Sequence, residues 1–320
     1  MRQIAALLLL TLCAVAPAFA QNTGNLPLVG VLRINTPQNV EPFPIIFRDA
    51  LAALGQVDGR NIRIELRLAE GHAERFPELA QALVRAKASV VVTSGDAATR
   101  AQQATETIPI VAIVDDIVGS GLINSLAKPG GNTTGVSILS SELDAKRLEI
   151  LKQIVPSSRR FAVLRDPASA SARMELFTET ARLLGVELQT VDVRGLPDFA
   201  PAFASFRADS IEAVNILSSP LLSGFRGELC GLSMTHKLPA IGQFREMAEA
   251  GCLASYGVRV SDAYVIAANL TDKMLKGARP GDTPAEQPTR FELVINQRTA
   301  HAIGIEIPQA ILGRADEVIE

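Results

Sequence analysis

Pro27-Leu28-Val29-Gly30-Val31-Leu32-Arg33-Ile34 is the stretch that decides the fold. Apolar and without alternation, it has the pattern of a strand covered on both faces. Phe43, Ile46, Phe47, Ala50, Leu51 and Leu54 then recur at helical spacing and stop at Gly55, so the unit is strand followed by helix. Ile62 to Leu68 with a helix from Arg75 to Ala86, Ser89 to Thr93 with a helix from Ala97 to Thr105, and a strand from Ile108 to Val114 repeat it. Such alternation predicts a parallel sheet with crossover helices.

After Asp115-Asp116 the pattern breaks. Lys128-Pro129-Gly130-Gly131-Asn132-Thr133-Thr134-Gly135 is the richest turn-forming stretch of the chain and reads as the approach to a crossing between lobes. A second series begins with a helix from Glu142 to Ile154, for which Ser141 and Asp144 form a near capping box. Strands follow at Phe161 to Leu164, Val186 to Val193, Ala213 to Leu217 and Leu238 to Ile241. Leu253 to Val258, a helix from about Asp262 to Lys276, the strand Phe291 to Ile295, a helix near Thr299 to Ile303 and the segment Asp316 to Ile319 finish the chain. Lobes built from discontinuous segments need such late returns.

Arg2, the apolar run Ile4 to Val15 and the small-x-small site Ala18-Phe19-Ala20 read as a secretory leader over residues 1–20, cleaved after Ala20. The run is shorter than the roughly 20 residues of a membrane span. Cys13 lies inside it behind bulky Leu12, which speaks against a lipoprotein site. The formal charge of −3 favours no nucleic-acid partner. Cys230 and Cys252 remain after processing, either as a disulfide in an oxidising compartment or as two small buried hydrophobes.

Ligands of open parallel sheets gather at the carboxyl ends of the strands, where helix N-termini converge. There stand Arg33, Asn35 and Thr36; Ser94, Gly95 and Asp96; Asp115 and Asp116; Arg165 and Asp166; Ser218 and Ser219; and Phe244 with Arg245. Ser94-Gly95-Asp96-Ala97 suits a carboxylate, because unpaired N–H groups lie beside a hydroxyl and a glycine; the alternative is that Ser94 or Asp96 caps its own helix. Asp115 and Asp116 suit a ligand ammonium or hydroxyl, or form a solvated turn. Tyr256 is placed to cover a ligand or to pack in the core, and Asp262 to reach the same cleft or cap the next helix. No catalytic or metal set is legible: His72, His236 and His301 are far apart, no G-x-S-x-G elbow occurs, and the Gly130 to Gly135 stretch lacks nucleotide-loop spacing.

From Ile108 to Glu320 the chain resembles the ABC transporter substrate-binding protein family that includes the TrpX-like aromatic amino acid binders, and more loosely before that. The resemblance rests on Ile108-Pro109-Ile110-Val111 with Asp115, Leu126 to Gly135, Lys146 to Lys152, Phe244-Arg245-Glu246, Glu249-Ala250-Gly251, Ser255-Tyr256-Gly257, Glu286 to Asn296 and Ala315 to Glu320. It implies an α/β architecture of two doubly wound lobes with parallel sheets, the type 1 periplasmic-binding-protein fold, joined by three crossings. Residues 27–135 with about 259–288 would form the N-terminal lobe, and residues 136–258 with about 289–320 the C-terminal lobe. The chain departs from the family at Arg33-Ile34-Asn35-Thr36, Asp115-Asp116-Ile117, Leu164-Arg165-Asp166-Pro167 and Ser218-Ser219-Pro220, so the ligand's identity does not carry over.

The expectation is a periplasmic, monomeric, non-enzymatic binding protein without cofactor or metal. It captures an amino acid or other small carboxylate by hinge closure and delivers it to an ABC permease in the inner membrane. Arg33, Asn35, Thr36, Ser94, Gly95, Asp115, Asp116, Asp166, Ser219, Phe244, Tyr256 and Asp262 are the expected ligand-binding residues. A ligand-sensing module feeding a membrane receptor or kinase, and a secreted α/β enzyme, are the competing classes.

Overall fold

The structure, a computed structural model, describes residues 26–38, 42–169 and 174–320; the leader read at 1–20, Cys13 included, lies outside the described residues. In chain order come β1 (Leu28–Arg33), α1 (Phe43–Ala53), β2 (Arg63–Leu68), α2 (Phe76–Arg85), β3 (Val90–Ser94), α3 (Ala97–Ala104), β4 (Ile110–Val114) and β5 (Thr133–Ser137). These strands form one sheet ordered β2-β1-β3-β4-β5, parallel throughout. Because successive strand side chains point to opposite faces, Val29 and Val31 share an apolar cluster with Phe43, Phe47 and Leu51 of α1. Leu28 and Leu32 share the other with Phe76 and Leu83 of α2.

The second series is α4 (Asp144–Ile154), β6 (Arg160–Arg165), α5 (Met174–Leu183), β7 (Glu187–Asp192), α6 (Leu196–Ala208), β8 (Ala213–Ile216), α7 (Pro220–Gly224), α8 (Arg226–Thr235), β9 (Ala240–Gly242), α9 (Arg245–Glu249) and β10 (Ala254–Val258). The chain then returns to the first sheet as α10 (Val260–Leu275), which packs on α1, with Tyr264 edge-on to Phe43 at 5.0 Å between ring centroids. The segment after α10 stays there, since the Glu286 N–H donates to the Gly135 carbonyl at 2.9 Å. A third crossing delivers β11 (Phe291–Asn296), α11 (Gln297–Ile303), α12 (Gln309–Leu312) and β12 (Glu317–Ile319). The second sheet is ordered β12-β11-β10-β9-β8-β6-β7. The molecule is therefore two α/β lobes joined by three crossings.

Three local expectations are corrected. Thr133-Thr134-Gly135, read as turn, begins strand β5; Gly135 stands opposite Ala112 of β4, and any Cβ there would overlap the Ala112 carbonyl oxygen, so the glycine serves close strand approach. Ser141 and Asp144 form no capping box: a 3-10 turn over Ser140–Leu143 precedes α4, which has no side-chain cap. Ser141 bonds Asp115 and Asp144 bonds Arg147 instead. Finally, β11 runs antiparallel to β10. The chain leaves β10 at its carboxyl end to reach the first lobe and comes back at that same end, so the returning strand must run the other way.

Cys230 of α8 and Cys252, two residues before β10, are joined by a disulfide with their Cα atoms 4.7 Å apart. It closes a loop that contains β9 and α9.

Candidate functional site

The carboxyl ends of both sheets face each other across a cavity of about 320 Å³. From the first lobe, Arg33 enters at the end of β1. Its Nε donates to Asn35 Oδ1 at 3.1 Å, and its guanidinium sits 4.4 Å from the Phe43 ring centroid and 5.8 Å from that of Tyr264. Cation–π contact of this kind holds an arginine in place without neutralising it. Asn35 also lines the cavity, whereas Thr36, half-buried, is not part of the wall.

Ser94 and Gly95 lie in the wall where β3 gives way to α3. The Ser94 hydroxyl is buried with no protein partner, and Asp96, the residue preceding α3, makes no side-chain bond to the helix. Neither side chain caps α3; the Ala98 N–H is taken by the Gly95 carbonyl at 3.0 Å, and what the helix start offers an anion is its positive end. Burial pushes the Asp96 carboxyl pKa up, the charge of Asp166 adds to this, and Arg100 opposes it.

Asp115 and Asp116 line the cavity but are engaged. Asp115 Oδ1 accepts from the Ser141 N–H at 2.8 Å and Oδ2 from the Ser141 hydroxyl, which ties β4 to the first crossing. Asp116 accepts from the N–H groups of Val118 at 3.2 Å and Gly119 at 2.8 Å, closing an exposed turn.

In the second lobe, Ser219 precedes α7 and its hydroxyl accepts from the N–H groups of Leu221 and Leu222 while donating to Asp166 at 2.6 Å. Asp166 is buried behind the wall, taking further bonds from the Ala168 N–H and the Ser169 hydroxyl. It braces the ends of β6 and β8 rather than lining the cavity. Phe244 does line it, and shares the apolar cluster of Phe43, Val260 and Tyr264; a second-lobe ring is thus embedded in first-lobe core.

Tyr256 and Asp262 are not in the wall. Tyr256 packs at the edge of the second-lobe core, and Asp262 lies 3.8 Å from Arg290. The ring that reaches the cavity is Tyr264, one turn into α10. Arg226, Gln243 and Glu246 also line it and were missed with it: Gln243 directly follows β9, while Arg226 opens α8 and Glu246 lies in the first turn of α9. One carboxylate oxygen of Glu246 is buried without a partner. Desolvation pushes this carboxyl pKa up; the charges of Glu249 and Glu292 reinforce that, while Arg226 and the residue's own backbone N–H oppose it.

Beneath the cavity, fully buried Arg147 staples the crossings together. Its Nη2 donates to the Ser140 carbonyl at 2.6 Å and to Asp144 Oδ1 at 2.5 Å, and its Nη1 to the Tyr256 carbonyl at 2.8 Å. Burial pushes the Asp144 carboxyl pKa up and the Arg147 charge opposes it. Ser140 in turn donates to Gln243 at 3.4 Å, whose amide donates to the Ser219 carbonyl at 3.1 Å. The crossings and the second-lobe wall are therefore one hydrogen-bonded unit.

The lobes touch over the cavity. Gly95, at φ 56°, lies so near α7 that a Cβ there would stand 2.6 Å from Pro220 Cγ, and one on Gly224 would stand 3.1 Å from Asn35 Nδ2. Among the described residues, no group of three or more His, Cys, Asp or Glu could hold a metal ion, and none of the three histidines lines the cavity. No helix of the described residues is long and apolar enough to cross a membrane.

Known proteins share this architecture. A conserved domain protein from Vibrio cholerae O1 biovar eltor superposes with a TM-score of 0.83 at 28% identity, covering 92% of this chain and 100% of that one. The ABC domain from Streptococcus pneumonia in complex with L-Trp gives 0.82 at 25% identity with the same coverage. A protein of Clostridioides difficile named tyrosine-binding protein is 26% identical over 264 residues, 81% of this chain and 76% of that protein. The family model described as ABC transporter substrate binding protein matches residues 46–319, and with that span the chain belongs to the ABC transporter substrate-binding protein family.

Proposed function

We propose that this chain is the extracytoplasmic solute receptor of an ABC importer, exported by its leader, acting as a monomer and releasing its ligand to a membrane permease. The ligand is an amino acid or other small carboxylate, and the protein binds it without converting it. The observation that carries this reading is the cavity walled by both lobes, with Arg33 on one side and Arg226 and Glu246 on the other. Its volume of about 320 Å³ suits one small molecule. Arg33, the unpartnered Ser94 hydroxyl and the start of α3 offer a carboxylate charge-assisted hydrogen bonds. The names of the relatives add support: one is called tyrosine-binding and another was crystallised with L-Trp.

Closure is a hinge motion of residues 27–137 with about 259–288, the first lobe reaching Ser137 because β5 ends there, against residues 138–258 with about 289–320. Both lobes touch the ligand only when closed, so binding energy shifts the population toward the closed form that the permease recognises.

The test is a thermal-shift titration of protein unfolded and refolded to strip carried-over ligand, against amino acids, small carboxylates, nucleosides and sugars. A ligand at 100 times its Kd stabilises by about 2.7 kcal/mol. A saturable rise in Tm for an amino acid or carboxylate that is recovered unchanged is expected. A rise for sugars or nucleosides alone, or chemical conversion of the compound, would refute the reading.

A further inference from the structure

We propose that Glu246 is the ligand's ammonium acceptor, so that the cleft selects an α-amino acid over the same carboxylate without its amine. This rests on the binding function above and narrows its ligand class. The argument is one of elimination among the carboxylates in the cavity wall. Asp115 has both oxygens engaged by Ser141, and Asp116 is exposed and bonds its own turn through Oδ1. Asp96 and Glu142 are exposed residues whose carboxylates reach water, that of Asp96 only over part of its surface. Glu246 alone among them has an oxygen both buried and without a partner, an arrangement that calls for a donor from the ligand.

The neighbours leave that role open. Arg245, next in sequence, is committed to Glu249, Glu292 and Glu317 and does not neutralise Glu246. Glu249 and Glu292 make the surroundings more negative, and Arg226 is the cation that opposes them. Tyr264 lines the same cavity, and its phenol, pushed to a higher pKa by burial, feels the charges of Arg33, Glu246 and Arg226. An α-amino acid carries carboxylate and ammonium on one carbon and needs a cation and an anion acceptor side by side. Arg33 with Arg226 supplies the first and Glu246 the second. The raised carboxyl pKa of Glu246, set first by desolvation and only partly opposed by Arg226, fits a buried carboxylate oxygen that awaits a donor from the ligand.

The experiment is calorimetric titration of the full mature chain with L-tyrosine and L-tryptophan and with their deaminated analogues, 3-(4-hydroxyphenyl)propionate and indole-3-propionate, in the wild type and in Glu246→Gln. The wild type is expected to prefer the amino acid at least 10-fold, the effect of one charge-assisted hydrogen bond. Glu246→Gln is expected to lose 10-fold or more in affinity for the amino acid while holding or gaining affinity for the analogue, so the preference collapses. Equal affinity of the wild type for both compounds overturns the proposal without any variant and leaves the carboxylate-binding function standing. So does an equal loss for both compounds in Glu246→Gln, which marks a merely structural side chain. A wild type that binds neither, but binds a sugar or nucleoside, overturns the functional reading and the assignment together.

Discussion

Replacing Gly95 by alanine separates two effects that a loss of binding usually confounds. The residue has φ 56°, where an L side chain costs about 1 kcal/mol. That strain is present whether the cleft is open or shut, so it lowers the urea midpoint but cancels from the affinity. The new Cβ would also stand 2.6 Å from Pro220 Cγ across the cleft, an overlap that exists only when the lobes meet. Overpacking of this kind costs about 1–3 kcal/mol, which converts to a loss of about 5- to 150-fold in affinity. Pro220→Ala removes the Cγ and leaves Cβ at 3.5 Å, an ordinary contact. The double variant is therefore expected to regain ligand affinity while keeping the lowered urea midpoint, measured by calorimetry and by denaturant titration on the same samples. A Gly95→Ala protein that is destabilised yet binds as the wild type does, or a double variant that fails to recover, would show that contact between Gly95 and α7 has no part in closure.

Arg147→Met leaves Asp144 buried without its counter-ion and is expected to cost about 3–5 kcal/mol in a urea titration, with Asp144→Asn recovering part in the double variant; a cost below about 1 kcal/mol contradicts the staple. Reducing Cys230–Cys252, or replacing both by serine, frees a loop of separation 22 and is expected to remove about 3 kcal/mol by the loop-entropy estimate, with a lower midpoint under reductant as the readout. Because burial raises the Glu246 carboxyl pKa above 4.5, amino acid affinity is expected to fall as pH drops through that raised value. The same shift has the opposite sign for the free protein: the folded state holds this proton more tightly than the unfolded chain, so the group's contribution to stability rises as pH falls and is lost as pH rises. Titration calorimetry and melting curves from pH 7 down to pH 4 check both directions, and an affinity that does not change with pH argues against an ionised Glu246 in the site.

The fold was legible wherever burial on both faces wrote itself as an apolar run. Val29 to Leu32, Val90 to Val92 and Ile110 to Val114 are buried strands, and no other reading of so many β-branched residues fits. β5 escaped because composition cannot distinguish a glycine in a turn from Gly135, which is there to clear the Ala112 carbonyl. In the site, strand ends pointed to Arg33, Ser94, Gly95 and Phe244, but the same rule brought in Asp166, whose partners Ser169 and Ser219 turn it away from the cavity. Tyr264 and Glu246 were hidden for a geometric reason. Glu246 projects from the opening turn of α9 and Tyr264 from one turn into α10, so their approach to the cavity depends on how the lobes are set, which spacing along the chain does not encode. A helix that opens just beyond a strand end was the available signal.

The return of α10 to the first lobe has a consequence for how the chain assembles. Phe43 and Tyr264 meet although about 220 positions separate them, and β10 cannot receive β11 until the chain has made that excursion. Contacts this distant along the chain slow folding, because loop-closure entropy is spent before the contacts repay it. The first sheet can pair its strands early, yet the face over Phe43 stays bare until the helix built after the second lobe's middle arrives. A chain made from its N-terminus therefore leaves the first lobe uncovered until α10 is delivered and the second sheet incomplete until β11 and β12 follow, so neither half can be finished before most of the other has been made.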